Sequence, residues 1–336
     1  MLEVSGLTVD YLTGTNPVRA VDDVSLSVGR GEFVGIVGES GCGKSTLLFA
    51  IARLLSPPAV VTAGSVTFRG ENLVTMTDRR LNAIRWQNLS VVMQSAMNAL
   101  NPVMPVGAQF ADALRAHGTI SRKAVAARSA EVLRLVGIDA VHLGSYPHQL
   151  SGGMRQRAMI AMALLFTPDL VIMDEPTSAL DVVAQRSLMT QIKELQRELG
   201  FAVVFVTHDM SLVSHYSDRL VVMYAGQVAE AGATRRIFDR PLHPYSRGLL
   251  EAFPSIRGDK VPLQGIPGSP PDLSVIHNGC RFSPRCPVKL PACETTPPAL
   301  LDREGTSVRC LLYDPGIAAV AQAEAGQATQ PRRRRL

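Results

Sequence analysis

The run Gly38-Glu39-Ser40-Gly41-Cys42-Gly43-Lys44-Ser45-Thr46 collects the residue types that can hold a chain of phosphates. Glycines let the backbone turn tightly enough to aim several N–H groups at one point, and a helix starting beside the lysine adds its positive N-terminal end there. The spacing is G-x-x-x-x-G-K-[ST]. In that pattern Gly38, Ser40, Gly41, Cys42, Gly43 and Thr46 belong to the cradle, Lys44 reaches the β- and γ-phosphates, and the Ser45 hydroxyl is a ligand for Mg²⁺. A glycine-rich turn can match such a pattern by accident, but the flanks argue against it. Phe33-Val34-Gly35-Ile36-Val37 is short, apolar and partly β-branched, which predicts a buried strand, and Thr46 to Leu55 predicts a helix.

Other chemistry points at the same place. Leu170-Val171-Ile172-Met173 predicts a fully buried parallel strand with Asp174 and Glu175 at its carboxyl end, the end at which open α/β sheets bind ligands. Asp174 would hold Mg²⁺ through its water shell, and Glu175 would orient or deprotonate a water beside the γ-phosphate. Adjacent acids at a strand end are usually solvated turn residues; the apolar run before them and the phosphate loop upstream reverse that reading. A second run, Phe201 to Thr207, ends in His208, placed to contact the γ-phosphate. Ser151-Gly152-Gly153 precedes the helical stretch Ala158 to Leu165, so a serine cap and bare backbone N–H groups imply a second anion site. Tyr11 either stacks on a nucleotide base or packs in the core, and its position alone does not choose.

These residues need a scaffold. The chain has 336 residues, 46% of them hydrophobic, which is globular and long enough for two domains. Of 34 basic residues Arg332, Arg333, Arg334 and Arg335 supply four, leaving 30 against 29 acids, so the body is nearly neutral and its charge gives no reason to expect nucleic acid. No run approaches 18 apolar residues and the N-terminus lacks the basic and apolar parts of a secretory signal, so the chain is expected to stay in the cytosol. Alternating apolar positions from Leu2 to Val28 predict antiparallel strands. Residues 56–93 read as strand-rich. From about 95 to 150, Ala- and Leu-rich stretches such as Lys123 to Val136 predict a helical insertion. The expected class is α/β.

Cys280, Cys286, Cys293 and Cys310 fall within one window, with five, six and sixteen residues between successive members. Cytosolic redox conditions disfavour disulfides. Four thiolates suffice for a tetrahedral Zn²⁺ or a [4Fe–4S] cluster; structural zinc usually takes closely paired cysteines, and the longer gaps here suit a larger ligand. Arg281, Arg285, Lys289 and Arg309 stand beside the cysteines in sequence and would offset thiolate charge, while Pro284, Pro287 and Pro291 stiffen the loops. Four unrelated reduced thiols is the remaining alternative.

Taken together, residues 1 to about 235 resemble the ATP-binding subunit of an ABC transporter: Walker A at Gly38–Thr46, the signature at Leu150-Ser151-Gly152-Gly153, and Walker B at Leu170–Asp174 with Glu175 following. Gln94 matches the Q-loop, Ser178-Ala179-Leu180-Asp181 the D-loop, His208 the H-loop and Tyr11 the adenine-stacking position. The resemblance implies an ABC-type P-loop ATPase core over residues 1–238, with an antiparallel β subdomain and a helical subdomain. It implies ATP as substrate, Mg²⁺ held by Ser45, Gln94 and Asp174, and Glu175 and His208 as catalytic residues. Ser151, Gly152 and Gly153 would contact ATP bound to a facing subunit. Asn98–Pro102, Pro241–Ser246, Ile266–Pro271 and Cys280–Pro287 are similar to the peptide and nickel importer branch. That branch pairs two related ATPase subunits with two membrane permeases and an external solute-binding protein. It implies import of dipeptides or oligopeptides, alternatively of nickel chelates or glutathione, by a subunit on the cytoplasmic face of the membrane. It also implies a C-terminal domain at 239–320 and tips its four-cysteine site from Zn²⁺ towards [4Fe–4S]; a disordered Arg-rich tail, 321–336, would follow. A soluble ABC ATPase of translation or repair would normally carry two cassettes or a long coiled-coil insertion, and a kinase or GTPase would not need Ser151-Gly152-Gly153.

Overall fold

Apolar residues alternate along β1 (Leu2–Tyr11) and β2 (Val18–Val28), so each strand buries one face, through Leu2, Val4, Leu7 and Val9 in the first and Val24, Leu26 and Val28 in the second. They pair antiparallel, Val4 opposite Leu26 and Leu7 opposite Val24. β3 (Phe33–Val37) has no polar residue and is buried throughout. After it the chain makes the phosphate loop and enters α1 (Lys44–Ile51). This helix is shorter than the expected Thr46–Leu55 because Arg53 takes a positive φ of 53°, outside helical space. β4 (Ala59–Phe68) and β5 (Glu71–Asn72) return to the first sheet, whose order is β2-β1-β4-β5.

The stretch read as strand-rich also holds a helix, α2 (Asp78–Ile84), which buries Leu81 and Ile84 at helical spacing and carries Asp78 in its first turn, where the helix dipole favours an acid. β6 (Leu89–Val92) follows. From there the chain is mainly helical, through α3 (Val106–Ala116), α4 (Arg122–Leu135) and α5 (Gly152–Ala163). α3 buries Val106, Phe110 and Leu114, and α4 buries Val125, Val132 and Leu133, each set along one helical face. The structure, a computed structural model, describes residues 1–13, 16–94, 99–118, 120–178, 180–252, 265–275 and 277–317. Asn98 of the branch-specific motif, Ala179 of the D-loop match and the Arg-rich tail lie outside them.

β7 (Leu170–Asp174), α6 (Val182–Leu199), β8 (Ala202–Val206), α7 (Met210–Tyr216), β9 (Arg219–Tyr224) and β10 (Gln227–Ala233) complete the core. The parallel strands run in the order β9-β3-β8-β7-β6, with α8 (Thr234–Asp239) and α9 (Pro244–Glu251) after β10. β11 (Leu301–Arg303) and β12 (Thr306–Val308) then join the same sheet, β12 pairing antiparallel with β10 at Glu230–Val308 and Ala231–Ser307. The cysteine-bearing segment is therefore packed on the core, where Phe282 meets Tyr224, Tyr245 and His243 with ring centroids 5.2, 5.5 and 5.7 Å away.

Beneath that aromatic group, fully buried Glu230 accepts the N–H groups of Leu242 at 2.8 Å and His243 at 2.9 Å. His243 is 3% exposed and its Nδ1 accepts the Tyr245 N–H at 3.0 Å, which requires that nitrogen to be unprotonated. Burial lowers the His243 pKa to about 4. An unfolded histidine binds its proton near pH 6.5, so His243 favours folding above that value and its contribution is lost as the pH falls towards 4. We expect it to remove about 2 kcal/mol of stability between pH 7 and 5. Denaturant titrations at the two pH values measure this loss. His243→Asn, which keeps an acceptor for Tyr245, should flatten the pH dependence, and an unchanged slope would contradict the assignment.

Candidate active site

The loop after β3 is shaped by close walls. Gly38 and Gly43 adopt φ of 154° and 98°. A Cβ on Gly43 would lie 2.1 Å from the Ala20 carbonyl oxygen, and one on Gly38 would lie 2.2 Å from that of Met223. No other residue type fits between β2 and β9 there. Lys44, 8% exposed, folds back and donates Nζ to the carbonyls of Gly38 and Glu39, both at 2.8 Å. Cys42 is buried beneath it, and burial raises its thiol pKa, so it packs as a small apolar group.

The Ser45 hydroxyl donates to Asp174 Oδ1 at 3.0 Å. Asp174 is 2% exposed; burial raises its pKa, the Ser45 hydrogen bond opposes the rise and the neighbouring Glu175 charge adds to it. A desolvated carboxylate beside a hydroxyl suits a hard divalent cation, which would compensate its charge better than any group now there, so these residues fit Mg²⁺.

Glu175 follows at a φ of 44°, a strained value for a residue with a Cβ, and its N–H is held by the Val206 carbonyl at 3.0 Å. Its carboxylate gathers the ends of two neighbouring strands. Gln94, beyond β6, donates Nε2 to Oε2 at 2.7 Å, and His208, beyond β8, brings Nδ1 to 3.4 Å from Oε1. Gln94, expected as a Mg²⁺ ligand, is engaged with Glu175 in this structure. Tyr11 lies across the start of α1 with its hydroxyl 3.1 Å from Thr46 Oγ1. Tyr11, Ser40, Gly41, Gly43, Lys44, Ser45, Thr46, Gln94, Glu175 and His208 line one cavity of about 580 Å³.

Val18, Ala20 and Leu273 line it too and were not singled out in the sequence. Leu273 comes from the Pro-rich segment after residue 265, where its carbonyl accepts the Arg19 N–H at 3.2 Å. No local pattern signals that approach. Ser151, Gly152 and Gly153 do not line the cavity; Ser151 Oγ caps α5 by accepting the Met154 N–H at 3.2 Å and is exposed.

None of the four C-terminal cysteines is in a disulfide. Burial raises Cys310 to about 12, with smaller contributions from Cys280, Cys286 and Cys293, so the four are neighbours. Among the described residues no three Cys, His, Asp or Glu side chains are placed to hold a single metal ion. The basic residues expected to balance thiolates are turned elsewhere. Arg281 pairs with Asp22 at 2.6 Å, Arg285 with Glu39 at 2.7 Å, Arg309 with Asp23 at 3.0 Å and Lys289 with Glu294 at 3.0 Å.

A strand-loop-helix phosphate cradle facing two carboxylates and a histidine at parallel strand ends defines an ATP-binding cassette. The ABC transporter family matches residues 21–178, and the family described as the oligopeptide/dipeptide transporter C-terminal region matches 229–293. The oligopeptide transport ATP-binding protein OppD of Salmonella typhimurium is 42% identical over 300 residues, 89% of each chain. The dipeptide transport ATP-binding protein DppD of Bacillus subtilis is 42% identical over 318 residues, covering 94% of this chain and 95% of its own. A solved dimeric ATP-binding cassette, in a post-hydrolysis state bound to ADP and Pi, superposes with a TM-score of 0.63 at 31% identity over 70% of this chain and 99% of that one. The chain belongs to the oligopeptide and dipeptide branch of the ABC transporter ATP-binding proteins.

The glycine contacts order the effects of substitution. Gly43→Ala drives a methyl into the Ala20 carbonyl, whereas Gly41, with nothing within 4 Å of a Cβ, pays only for its φ of 75°. Titration with a fluorescent ATP analogue should show Gly43→Ala weakening binding at least about tenfold and Gly41→Ala less. The reverse order would contradict this loop geometry.

Proposed function

We propose that this chain is the ATP-hydrolysing subunit of an importer for dipeptides or oligopeptides. The observation that carries the catalytic part is the Glu175 carboxylate, held by Gln94 and His208 over the mouth of the phosphate loop. On nucleotide binding Lys44 exchanges its two backbone carbonyls for phosphate oxygens, and the loop N–H groups take the rest of the charge. Ser45 and Asp174 would hold Mg²⁺, with Gln94 turning from Glu175 to serve as a further ligand, and the ion would supply positive charge to offset that of the phosphates. Glu175 orients the attacking water and takes its proton, while His208 contacts the γ-phosphate. Tyr11 swings from Thr46 to stack on the base.

Ser151, Gly152 and Gly153 serve the nucleotide of a facing subunit, a paralogous ATPase in this reading. The exposure of Ser151 and the absence of all three from the lining of their own chain's cavity support it, as does the dimeric state of the related cassette. Two permeases and an external solute-binding protein complete the transporter. Among the described residues no helix is long and apolar enough to cross a membrane, which is consistent with peripheral attachment to permeases at the cytoplasmic face. The relatives are named for oligopeptides and dipeptides, and this favours peptides over nickel chelates or glutathione.

For Cys280, Cys286, Cys293 and Cys310 the reading is a structural [4Fe–4S] cluster. The four thiols are neighbours, as their mutual effect on Cys310 shows, and their gaps of five, six and sixteen residues are wider than the close pairs that structural zinc usually takes. Anaerobically purified protein should hold about four irons per chain, and stoichiometric zinc without iron would contradict the cluster.

Glu175→Gln keeps the side chain's size and removes its basicity. Steady-state ATP hydrolysis should fall by about 10² or more while ATP affinity stays within a few-fold of wild type. Near-normal turnover would remove Glu175 from the mechanism.

A further inference from the structure

The cysteine-bearing segment reaches the phosphate loop itself. Arg285, with a side chain only 5% exposed, donates Nη1 to Glu39 Oε2 at 2.7 Å and Nη2 to Glu39 Oε1 at 2.8 Å, the two-pronged geometry in which a guanidinium fixes orientation as well as distance. The same guanidinium is braced by the Pro267 carbonyl, 2.8 Å from Nε, and by the Tyr224 hydroxyl at 3.3 Å. Glu39 is the second residue of the loop, and each of its polar groups is engaged. Its carboxylate is held by Arg285, its N–H donates to the Tyr245 hydroxyl at 2.9 Å, and its carbonyl accepts Lys44 Nζ at 2.8 Å. Arg285 and Tyr245 both lie outside residues 21–178, the part matched by the ABC transporter family.

A loop rich in glycine has few side chains with which to hold its own shape, so its conformation must be imposed by what packs against it. On one side that is the Ala20 and Met223 carbonyls; at Glu39 it is Arg285 and Tyr245. We propose that Arg285 is a positioning residue for nucleotide binding. Acting through Glu39, it sets the carbonyls on which Lys44 rests and keeps the loop in its phosphate-ready shape, so the C-terminal segment is part of the nucleotide site. This rests on the cassette reading above and adds a residue that never touches ATP.

The competing role is a staple that only fastens the segment to the core, and the molecule contains its own control. Arg281 makes a similarly buried pair with Asp22, 2.6 Å away, joining the same segment to the same core at a residue outside the loop. A staple predicts that the two pairs behave alike. Positioning predicts that they differ.

The test is a double-mutant cycle in the full chain, with Glu39→Gln, Arg285→Gln and the double variant read by titration with a fluorescent ATP analogue and by kcat at saturating ATP. Each single variant should weaken ATP binding about tenfold, the double variant no more than either single, and kcat should change less than about threefold. Arg281→Gln should lower the melting temperature with ATP affinity unchanged. Additive effects in the cycle, or equal loss of ATP affinity in Arg281→Gln and Arg285→Gln, would overturn the proposal. Should Arg285→Gln fail to fold, Glu39→Gln decides alone, since it leaves the C-terminal segment unaltered: wild-type affinity in that variant overturns the proposal. Wild-type protein that bound no ATP would instead sink the cassette reading beneath it.

Discussion

The hydrogen bond from Ser45 to Asp174, 3.0 Å long between residues 129 apart in the chain, exists only because of strand register. Ile36 of β3 and Asp174 of β7 both lie opposite Val206 of the strand between them, so the phosphate loop leaves the sheet level with the carboxylate it needs. A slip of one residue in the β7–β8 ladder would turn Asp174 to the other face, and one in the β3–β8 ladder would shift the phosphate loop along the sheet by about 3 Å. Gln94 and His208 obey the same constraint, since β6 and β8 flank β7 and end beside Glu175. The core strands need only be apolar and in register, and the chemistry follows at their ends.

That arrangement is held under tension. Asp174 is a buried acid with its pKa raised, Glu175 sits at a positive φ, and the Lys44 ammonium is confined to two carbonyls. Each is a poor resting state for an isolated protein and a good one for a site that will receive a cation and a polyphosphate. The strain is balanced by the closely packed sheet and by contacts from the end of the chain. Glu39, Asp22 and Asp23 all pair with arginines from the cysteine-bearing segment, which gives that segment a direct hold on the first strands and on the loop.

The core was legible because its signals are local. Phe33–Val37 forms a strand at the residues expected, since an all-apolar run, largely β-branched, between turn residues has few other uses, and Asp174 closes its strand while His208 follows its own, where the sequence places them. Helix α2 was not legible, because Asp-Arg-Arg hides the spacing of Leu81 and Ile84. By sequence alone the arginines near the cysteines belong with the thiolate charges beside them. Arg285 pairs instead with a residue 246 positions away, and no spacing rule reports a contact made by β12 joining the central sheet and an aromatic group packing beneath it. Leu273 escaped notice for the same reason: a lone leucine in a Pro-rich stretch has no period to betray where it packs.

Electron paramagnetic resonance with Mn²⁺ in place of Mg²⁺ reads the Ser45–Asp174 pair directly. Full-length protein mixed with ATP should bind about one Mn²⁺ per nucleotide. Asp174→Asn, which keeps the size of the side chain and most of its contacts, should lose that bound-metal signal while still binding ATP. A bound Mn²⁺ signal of wild-type affinity in Asp174→Asn would show that the cation sits elsewhere and that the register of β3 and β7 does not serve it.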